Sequence, residues 1–509
     1  MGIASATRAK VEYGDFQTPI TLAYALTTLI RRSAFLPASI LEPSCGVGNI
    51  LLAATDAFPY FQTAVGVEVQ SEYLAELERR CLSREDHKRI SVRSANFFDL
   101  DWPDVIAKLP EPILVIGNPP WVTNSTLATL QSDNLPEKSN FQRHKGLDAV
   151  TGKSNFDISE AMLIRLFRWL TGRNAMLVML CKTAVARKIL AHAWKTELPM
   201  SECSIRRIDS VAFFNAAVDA CVFQCRFGKV AGDAACPVFE ELDSKHASQV
   251  IGFHDGRMLA NTVAYEQWRH LEGKEVYRWR SGIKHDCAEL VELRRHGENF
   301  VARDGKIIDI EPDYLFPMLK ASDLANGRPQ MGKRWMLVTQ RTVGEDTNRI
   351  AVRAPKTWAY LNEHVNRFTN RASAIYKNRP AFSMFGLGPY SFAPWKVGIA
   401  GLYKKLAFRV IGPWEEKPIV LDDTCYFVAC RSKEEAAMVA EMLNHPIAQE
   451  FYSAFVFWDA KRPVTVDLLR RLDLGRLAKE LGRSVEFGAF AANRNSPPDA
   501  ADGGWLWND

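Results

Sequence analysis

Through the first 230 residues, short runs of apolar side chains alternate with stretches of helical periodicity. Residues 20 to 35 (ITLAYALTTLIRRSAF) carry apolar positions at helical spacing after Thr18-Pro19, and SEYLAELERRCL and ISEAMLIRLFRWL do the same further on. Between them lie compact apolar runs: SILEP, TAVGVEV, ILVIGNPP, NAMLVML and DACVFQCRF. Each early run stops at a glycine, proline, asparagine or acidic residue. Buried strands alternating with helices predict a doubly wound, mostly parallel α/β sheet. Ligands on such sheets sit beyond the carboxyl ends of the strands, where the unusual residues of this chain cluster.

The alternation fades near residue 230, and a mixed polar stretch follows. The expected organisation is an α/β catalytic domain over residues 1–230 and a linker or junction over 231–300. An α+β domain rich in short strands and aromatics follows over 301–485, then a disordered tail over 486–509. No internal repeat of solenoid length is present.

Composition narrows the class. With 47% hydrophobic and 24% charged residues, the chain can fill more than one core and is globular. The ten cysteines form no CxxC pair. Cys221 and Cys225 fall on one face of a strand, as core thiols in a reducing compartment would, and no metal centre is expected. No apolar run reaches the ~18 residues of a membrane span. The start, MGIASATRAK, has no apolar signal core and carries Ala6 where a myristoylation site wants Ser or Thr. A cytoplasmic protein without a membrane partner is expected.

Three strand ends carry candidate chemistry. In ILEPSCGVGN (40–49), Gly46 and Gly48 stand between a strand and a helix, where glycine permits a sharp turn and close approach to a ligand. Leu51 occupies the third glycine position of a dinucleotide fingerprint, which disfavours NAD or FAD. The next strand ends at Glu68, a carboxylate placed to accept ribose hydroxyls. In NFFDL (96–100), Asp99 is positioned to accept from an adenine amino group, with Phe98 as an apolar wall. Together they describe a pocket for S-adenosylmethionine.

The fourth strand end reads ILVIGNPPW (113–121). Prolines lock the backbone and cannot extend a sheet, so Pro119 and Pro120 make a stiff corner. The lone pair of an aromatic amine is delocalised into its ring. Two acceptors, the Asn118 side-chain oxygen and the Pro119 carbonyl, can hold the amine's hydrogens and favour a tetrahedral nitrogen, while Trp121 stacks on the base. A base inside a duplex must first be rotated out of its stack.

At these residues the chain resembles the gamma-class, TaqI-like N6-adenine DNA methyltransferases of restriction–modification systems. The resemblance rests on Phe16-Gln17-Thr18-Pro19, the loop from Glu42 through Pro43, Ser44, Cys45 and Gly46 to Gly48, then Glu68, Asp99 and Asn118 to Trp121, in that order. It implies a class I, Rossmann-like methyltransferase domain followed by a DNA target-recognition domain. By the same resemblance Phe16, Thr18 and Asn118 adjoin the cofactor. GKSNFDISEAMLIRLF resembles a further motif beside the cofactor, and VAFFNAAVDACVF one whose aromatic, Phe213 or Phe214, packs on the flipped base. N4-cytosine enzymes and RNA-base methyltransferases carry related corners, and an inactive DNA-binding specificity protein is the alternative of another class.

Overall charge is only +5, yet no acidic residue occurs between Glu363 and Glu415, a stretch dense in Lys, Arg and aromatics. Basic side chains neutralise phosphates and give salt-dependent affinity, so this stretch predicts the face for double-stranded DNA. The FGLGPYSFAPWKVGIAGLYKK run, DDTCYF and DAKRPVT resemble the family's specificity domain. Lys284, Lys396, Lys404, Lys405, Lys461 and Arg462 are the candidate DNA contacts. A cognate restriction endonuclease acting on the same site is the expected partner.

Overall fold

The computed structural model describes residues 17–122, 157–228, 232–273, 277–327 and 331–492, in two compact units that divide between Thr262 and Val263. In the first unit, Pro19 precedes helix α1 (Ile20–Arg32), whose Leu22, Ala23, Leu26, Leu29 and Ile30 form one buried stripe. That stripe covers a sheet begun by β1 (Ser39–Glu42) and β2 (Thr63–Glu68), joined through α2 (Asn49–Ala57). The chain continues through α3 (Ser71–Leu82), β3 (Ile90–Ser94), α4 (Trp102–Ala107) and β4 (Ile113–Gly117). After residues outside the described set come α5 (Ile158–Leu170), β5 (Ala175–Lys182), α6 (Thr183–Lys195), β6 (Met200–Ile208), α7 (Ser210–Phe214) and β7 (Ala220–Phe227).

The strands order as β3-β2-β1-β4-β5-β7-β6 and are parallel except for β7, which runs against both β5 and β6. This is the Rossmann-like topology of class I methyltransferases. Strand order reverses between β1 and β4, so the crevice for a ligand opens there. β1 and β4 are buried along their whole length; β4 accordingly reads as an uninterrupted apolar run, while β1 is apolar at Ile40 and Leu41 and ends in the buried Glu42.

Within the stretch expected as a linker over 231–300, the first unit instead builds β8 (Ala235–Phe239), β9 (Gln249–His254) and β10 (Arg257–Leu259). These strands extend the first unit's sheet beyond β6 to ten strands. The physical reason is the edge of β6, whose backbone groups β8 satisfies in parallel at Ile205 and Arg206.

The second unit is α+β, as expected. One sheet has the order β14-β13-β12-β16-β15-β19 and another β11-β20-β17-β18. The ranges are β11 Arg280–Ser281, β12 Glu292–His296, β13 Asn299–Val301, β14 Ile307–Ile308 and β15 Leu315–Leu319. β16 spans Arg334–Leu337, β17 Trp395–Ala400, β18 Arg409–Ile411, β19 Val420–Leu421 and β20 Cys425–Cys430. A helix spans Ser484–Ala492, so residues 486–492 of the expected disordered tail are helical, and Phe487 there joins a buried cluster with Tyr277, Leu474 and Leu477. All ten cysteines are buried free thiols. Among the described residues, no helix is long and apolar enough to cross a membrane.

Lys396 overturns one expectation. Rather than facing DNA it is fully buried on β17, and its ammonium donates to the carbonyls of Ala393 and Ile419. Burial pulls its pKa down to about 7. An unfolded lysine titrates near about 10.4. From about pH 7 to about pH 10 the unfolded chain therefore binds more protons than the folded one, and stability rises with pH across that window. Lys396→Met is expected to remove this rise. Urea-denaturation midpoints from pH 7 to 10 check it, and parallel profiles for the two proteins would contradict the burial argument.

Candidate active site

A cleft opens at the carboxyl ends of β1 to β4. Its floor is the turn between β1 and α2. Gly46 and Gly48 both adopt positive φ, at 51° and 81°. A Cβ on Gly46 would stand 2.7 Å from the Gln17 side-chain oxygen, and one on Gly48 would stand 2.2 Å from buried Leu77. Conformation favours glycine at both positions, and at Gly48 the buried Leu77 leaves no space for a side chain as well, whereas the exposed Gln17 side chain beside Gly46 can move aside. Cys45 is anchored by its amide to the Val67 carbonyl at 2.9 Å. The Ser44 hydroxyl, by contrast, is buried and has no hydrogen-bond partner among the described residues.

Two carboxylates shape this turn. Glu68, at the end of β2, accepts the Gly46 amide on one oxygen at 2.8 Å and the Val69 and Gln70 amides on the other at 2.9 and 2.8 Å. Besides facing the cleft, it therefore holds the glycine turn against the tip of β2. Glu42 accepts the Leu51 amide at 2.8 Å. Burial pushes Glu42 well above the usual carboxylate range, against that hydrogen bond, and the nearby Glu68 charge adds to the rise.

The β3 end differs from expectation. Asp99 is exposed and is not among the residues lining the cleft; Asn96 and Phe97 line it with Phe98. β3 ends at Ser94, so Asn96 stands just past the strand tip while Asp99 lies a turn later. The Asn96 side-chain oxygen accepts the Phe98 amide at 2.9 Å, which tightens that turn. Gln17, Asn49, Ile158 and Met162, which fall inside the FQTP, glycine-loop and GKSNFDISEAMLIRLF motifs, also line the cleft, as do Gln70 and Tyr73, which nothing in the sequence pattern singles out. Strand-end counting from β3 would have found Asn96. Gln70 and Tyr73 stand at the start of α3, just past the tip of β2, and carry no local signature.

Asn118 and Pro120 reach the same cleft from β4. The Asn118 amide donates to the Thr18 hydroxyl at 3.2 Å, and the Thr18 carbonyl accepts the Asn49 amide at 2.9 Å. Arg80 on α3 donates in turn to the Asn49 side-chain oxygen and to the Val47 carbonyl. Thr18 is thereby joined to both the corner and the glycine turn. Phe16 lies outside the described residues, as do residues 152–156 of the GKSNF segment.

Trp121 is buried rather than open to the cleft. Its ring meets Phe214 edge-on at 5.2 Å, and its indole N–H donates to the Leu180 carbonyl at 3.4 Å. Phe213 is half-buried, 6.5 Å from Phe214. With the rings in contact, no base fits between them, so one ring must turn for a base to stack there.

The remaining candidates belong to the second unit. Lys404, Lys405 and Lys461 are exposed. Arg462 is 42% exposed and pairs with Asp423, while Lys284 is 38% exposed beside Asp286. Of the basic stretch between Glu363 and Glu415, Lys396 is buried and Arg371 turns inward. Arg371 donates to the His285 and Ser383 carbonyls and lies 3.5 Å over the Tyr376 ring.

No family model matches the sequence. The chain is 43% identical over 478 residues to the type II methyltransferase M.NspV of Nostoc sp. (strain ATCC 29411 / PCC 7524). That alignment covers 94% of this chain and 99% of that protein. Among solved structures, the type IIL restriction–modification enzyme MmeI, in complex with DNA, matches with a TM-score of 0.51 and 12% identity. The match covers 99% of this chain and 72% of that one, and it is a likeness of fold.

The glycine turn yields a matched pair of substitutions. Gly172 also has positive φ, at 78°, but nothing lies within 4 Å of its Cβ position. Gly172→Ala is expected to lose about 1–2 kcal/mol, the left-handed backbone cost alone. Gly48→Ala is expected to lose more, because buried Leu77 must also move. Equal denaturation midpoints for the two variants would contradict the close packing of the turn.

Proposed function

The chain belongs to the type II methyltransferase family of restriction–modification systems, and we propose that it methylates N6 of an adenine rotated out of double-stranded DNA. The observation that carries this reading is the convergence of Asn118 and the Pro-Pro corner with the glycine turn and Glu68 in one cleft.

The residues lining the cleft fit S-adenosylmethionine. The Ser44 hydroxyl is a buried polar atom in need of a partner. Gly46 lines the cleft without a side chain, which lets the backbone of the turn approach a ligand closely. Glu68 stands where ribose hydroxyls would be held, Asn96 takes the role expected of Asp99 toward the adenine amine, and Phe97 and Phe98 form the wall. Glu42, Pro43, Cys45, Gly46, Gly48 and Thr18 shape the same pocket. Bound there, S-adenosylmethionine would supply an electrophilic methyl group on a sulfonium.

The chain's own residues then prepare the nucleophile. Asn118 and the Pro119 carbonyl accept the two hydrogens of the adenine amine, which withdraws its lone pair from the ring and directs it toward the donor. Pro119 and Pro120 keep these acceptors from relaxing. Trp121 turns its face to the extracted base, and Phe214, which already touches it, closes the other side. Exposed Lys404, Lys405 and Lys461, with Arg462 and Lys284, supply phosphate contacts from the second unit. In the cell the enzyme would protect sites cut by a cognate restriction endonuclease.

Asn118→Ala is expected to abolish methyl transfer, at least about a 100-fold loss, while S-adenosylmethionine and DNA affinities stay within a few-fold. A radiolabelled-methyl assay with parallel binding titrations checks this, and a variant with normal turnover would remove Asn118 from the mechanism. Replacing Lys404 and Lys405 together with Gln is expected to flatten the dependence of log affinity on log salt. The slope falls by about 0.9 for each phosphate that is no longer neutralised. An unchanged slope would take both lysines out of the DNA interface.

A further inference from the structure

The stiffness of the Pro-Pro corner covers only its entry. Prolines restrict their own φ and the residue before them, but nothing intrinsic restrains Trp121 and Val122, where the chain leaves the corner. The structure supplies restraints there from elsewhere in the fold. The Lys182 ammonium, at the end of β5, donates to the Trp121 carbonyl at 3.0 Å and to the Asp157 carboxylate at 2.6 Å. Asp157 is the cap of α5, and its other oxygen accepts the Ser159 amide and hydroxyl. The Ile158 amide, one residue on, donates to the Val122 carbonyl at 2.9 Å.

We infer that Lys182 and Asp157 are positioning residues for methyl transfer, a charged clamp that fixes the exit of the Asn118–Trp121 corner. The inference deepens the function proposed above and rests on it. An ammonium is a donor only, so its bond to the Trp121 carbonyl cannot be inverted by a change of rotamer. The clamp therefore fixes the direction of that carbonyl, and with it the backbone that follows Pro120. A corner held only by its prolines could pivot about Trp121, displacing the Pro119 carbonyl and the Asn118 side chain together.

The choice of an ion pair over a lone lysine has a physical reason. A methyl donor that carries a sulfonium is repelled by an uncompensated cation in a partly desolvated site. Asp157, 7% exposed, cancels the Lys182 charge without giving up its role as helix cap, since the two tasks use different oxygens. One carboxylate thus orders the start of α5 and neutralises the clamp. Ile158, which follows it, and Met162, one turn on, line the cleft itself. The cofactor-side wall and the base-side corner are consequently tied to one point.

Displacing reacting groups by about 1 Å can slow an enzyme about 100-fold while leaving binding intact. The test uses the full-length protein, DNA from a host without methyltransferases, and S-adenosylmethionine labelled in its methyl group. Single-turnover rates are read beside donor affinity from equilibrium titration. Lys182→Met is expected to lower the single-turnover rate about 10- to 100-fold with donor affinity within about twofold of the parent. Lys182→Arg, which keeps a cationic donor, is expected to recover most of the rate. A Lys182→Met rate within about twofold of the parent overturns the inference, as does an Arg variant as slow as the Met variant.

Should Lys182→Met fail to fold, Asp157→Asn carries the test. It keeps an oxygen for the helix cap and removes the neutralising charge. About a tenfold slower transfer per folded molecule at parental donor affinity is expected, whatever the thermal midpoint, and a parental rate overturns the clamp. A parent protein that transfers no methyl group to DNA defeats the function proposed above instead, before any variant is compared.

Discussion

In the proposed function, an aromatic amine becomes a nucleophile when its hydrogens are held by acceptors that do not yield, and the residues around the cleft are read against that constraint. The proposed mechanism requires two acceptors held at the spacing of one NH2 group. Asn118 and Pro119 meet this requirement, and the tip of β4 is the place in the fold that can hold them still. β4 lies between β1 and β5 in the parallel part of the sheet and is buried along its length. A corner mounted there inherits the rigidity of a packed core. The Lys182–Asp157 pair and the Ile158 amide extend that rigidity past the prolines, where backbone stiffness alone ends.

The cleft works as a unit because its parts bond to each other as well as to a ligand. Glu68 holds the glycine turn by the Gly46 amide while facing the cavity. Thr18 links Asn118 to Asn49, and Arg80 holds Asn49 beside the glycine turn. Such shared bonding makes single residues poor measures of single roles, since a change at Thr18 disturbs both halves of the site. It also explains why buried Glu42 is tolerated: its Leu51 bond fixes the helix that begins at the turn, and that order offsets the burden of an elevated pKa.

Much of the first unit is legible in the sequence because its signals are local. Apolar runs at β1, β2, β4, β5 and β7 stand out, and the turn glycines and NPPW sit directly at strand ends. What the sequence hides depends on distance. Residue type favours Asp99, whereas geometry selects Asn96, two residues past Ser94. Residues 231–262 lack strong periodicity, and their strands exist because β6 offers an edge to pair with. The motif presents Trp121 as open to a base, yet its large apolar ring is buried against Phe214. In the second unit, charge along the chain suggests a continuous basic face, but Lys396 and Arg371 spend their donors on internal carbonyls. A linear sequence shows which residues are cationic; only packing decides which of them meet solvent.

The most direct measurement is the identity of the methylated nucleoside. Unmodified DNA treated with the protein and S-adenosylmethionine is digested to nucleosides and resolved by mass spectrometry. The account predicts N6-methyl-2′-deoxyadenosine, formed by the parent chain and absent with Asn118→Ala. N4-methyl-2′-deoxycytidine as the product, or no methylated nucleoside from a chain that binds both DNA and S-adenosylmethionine, would contradict it.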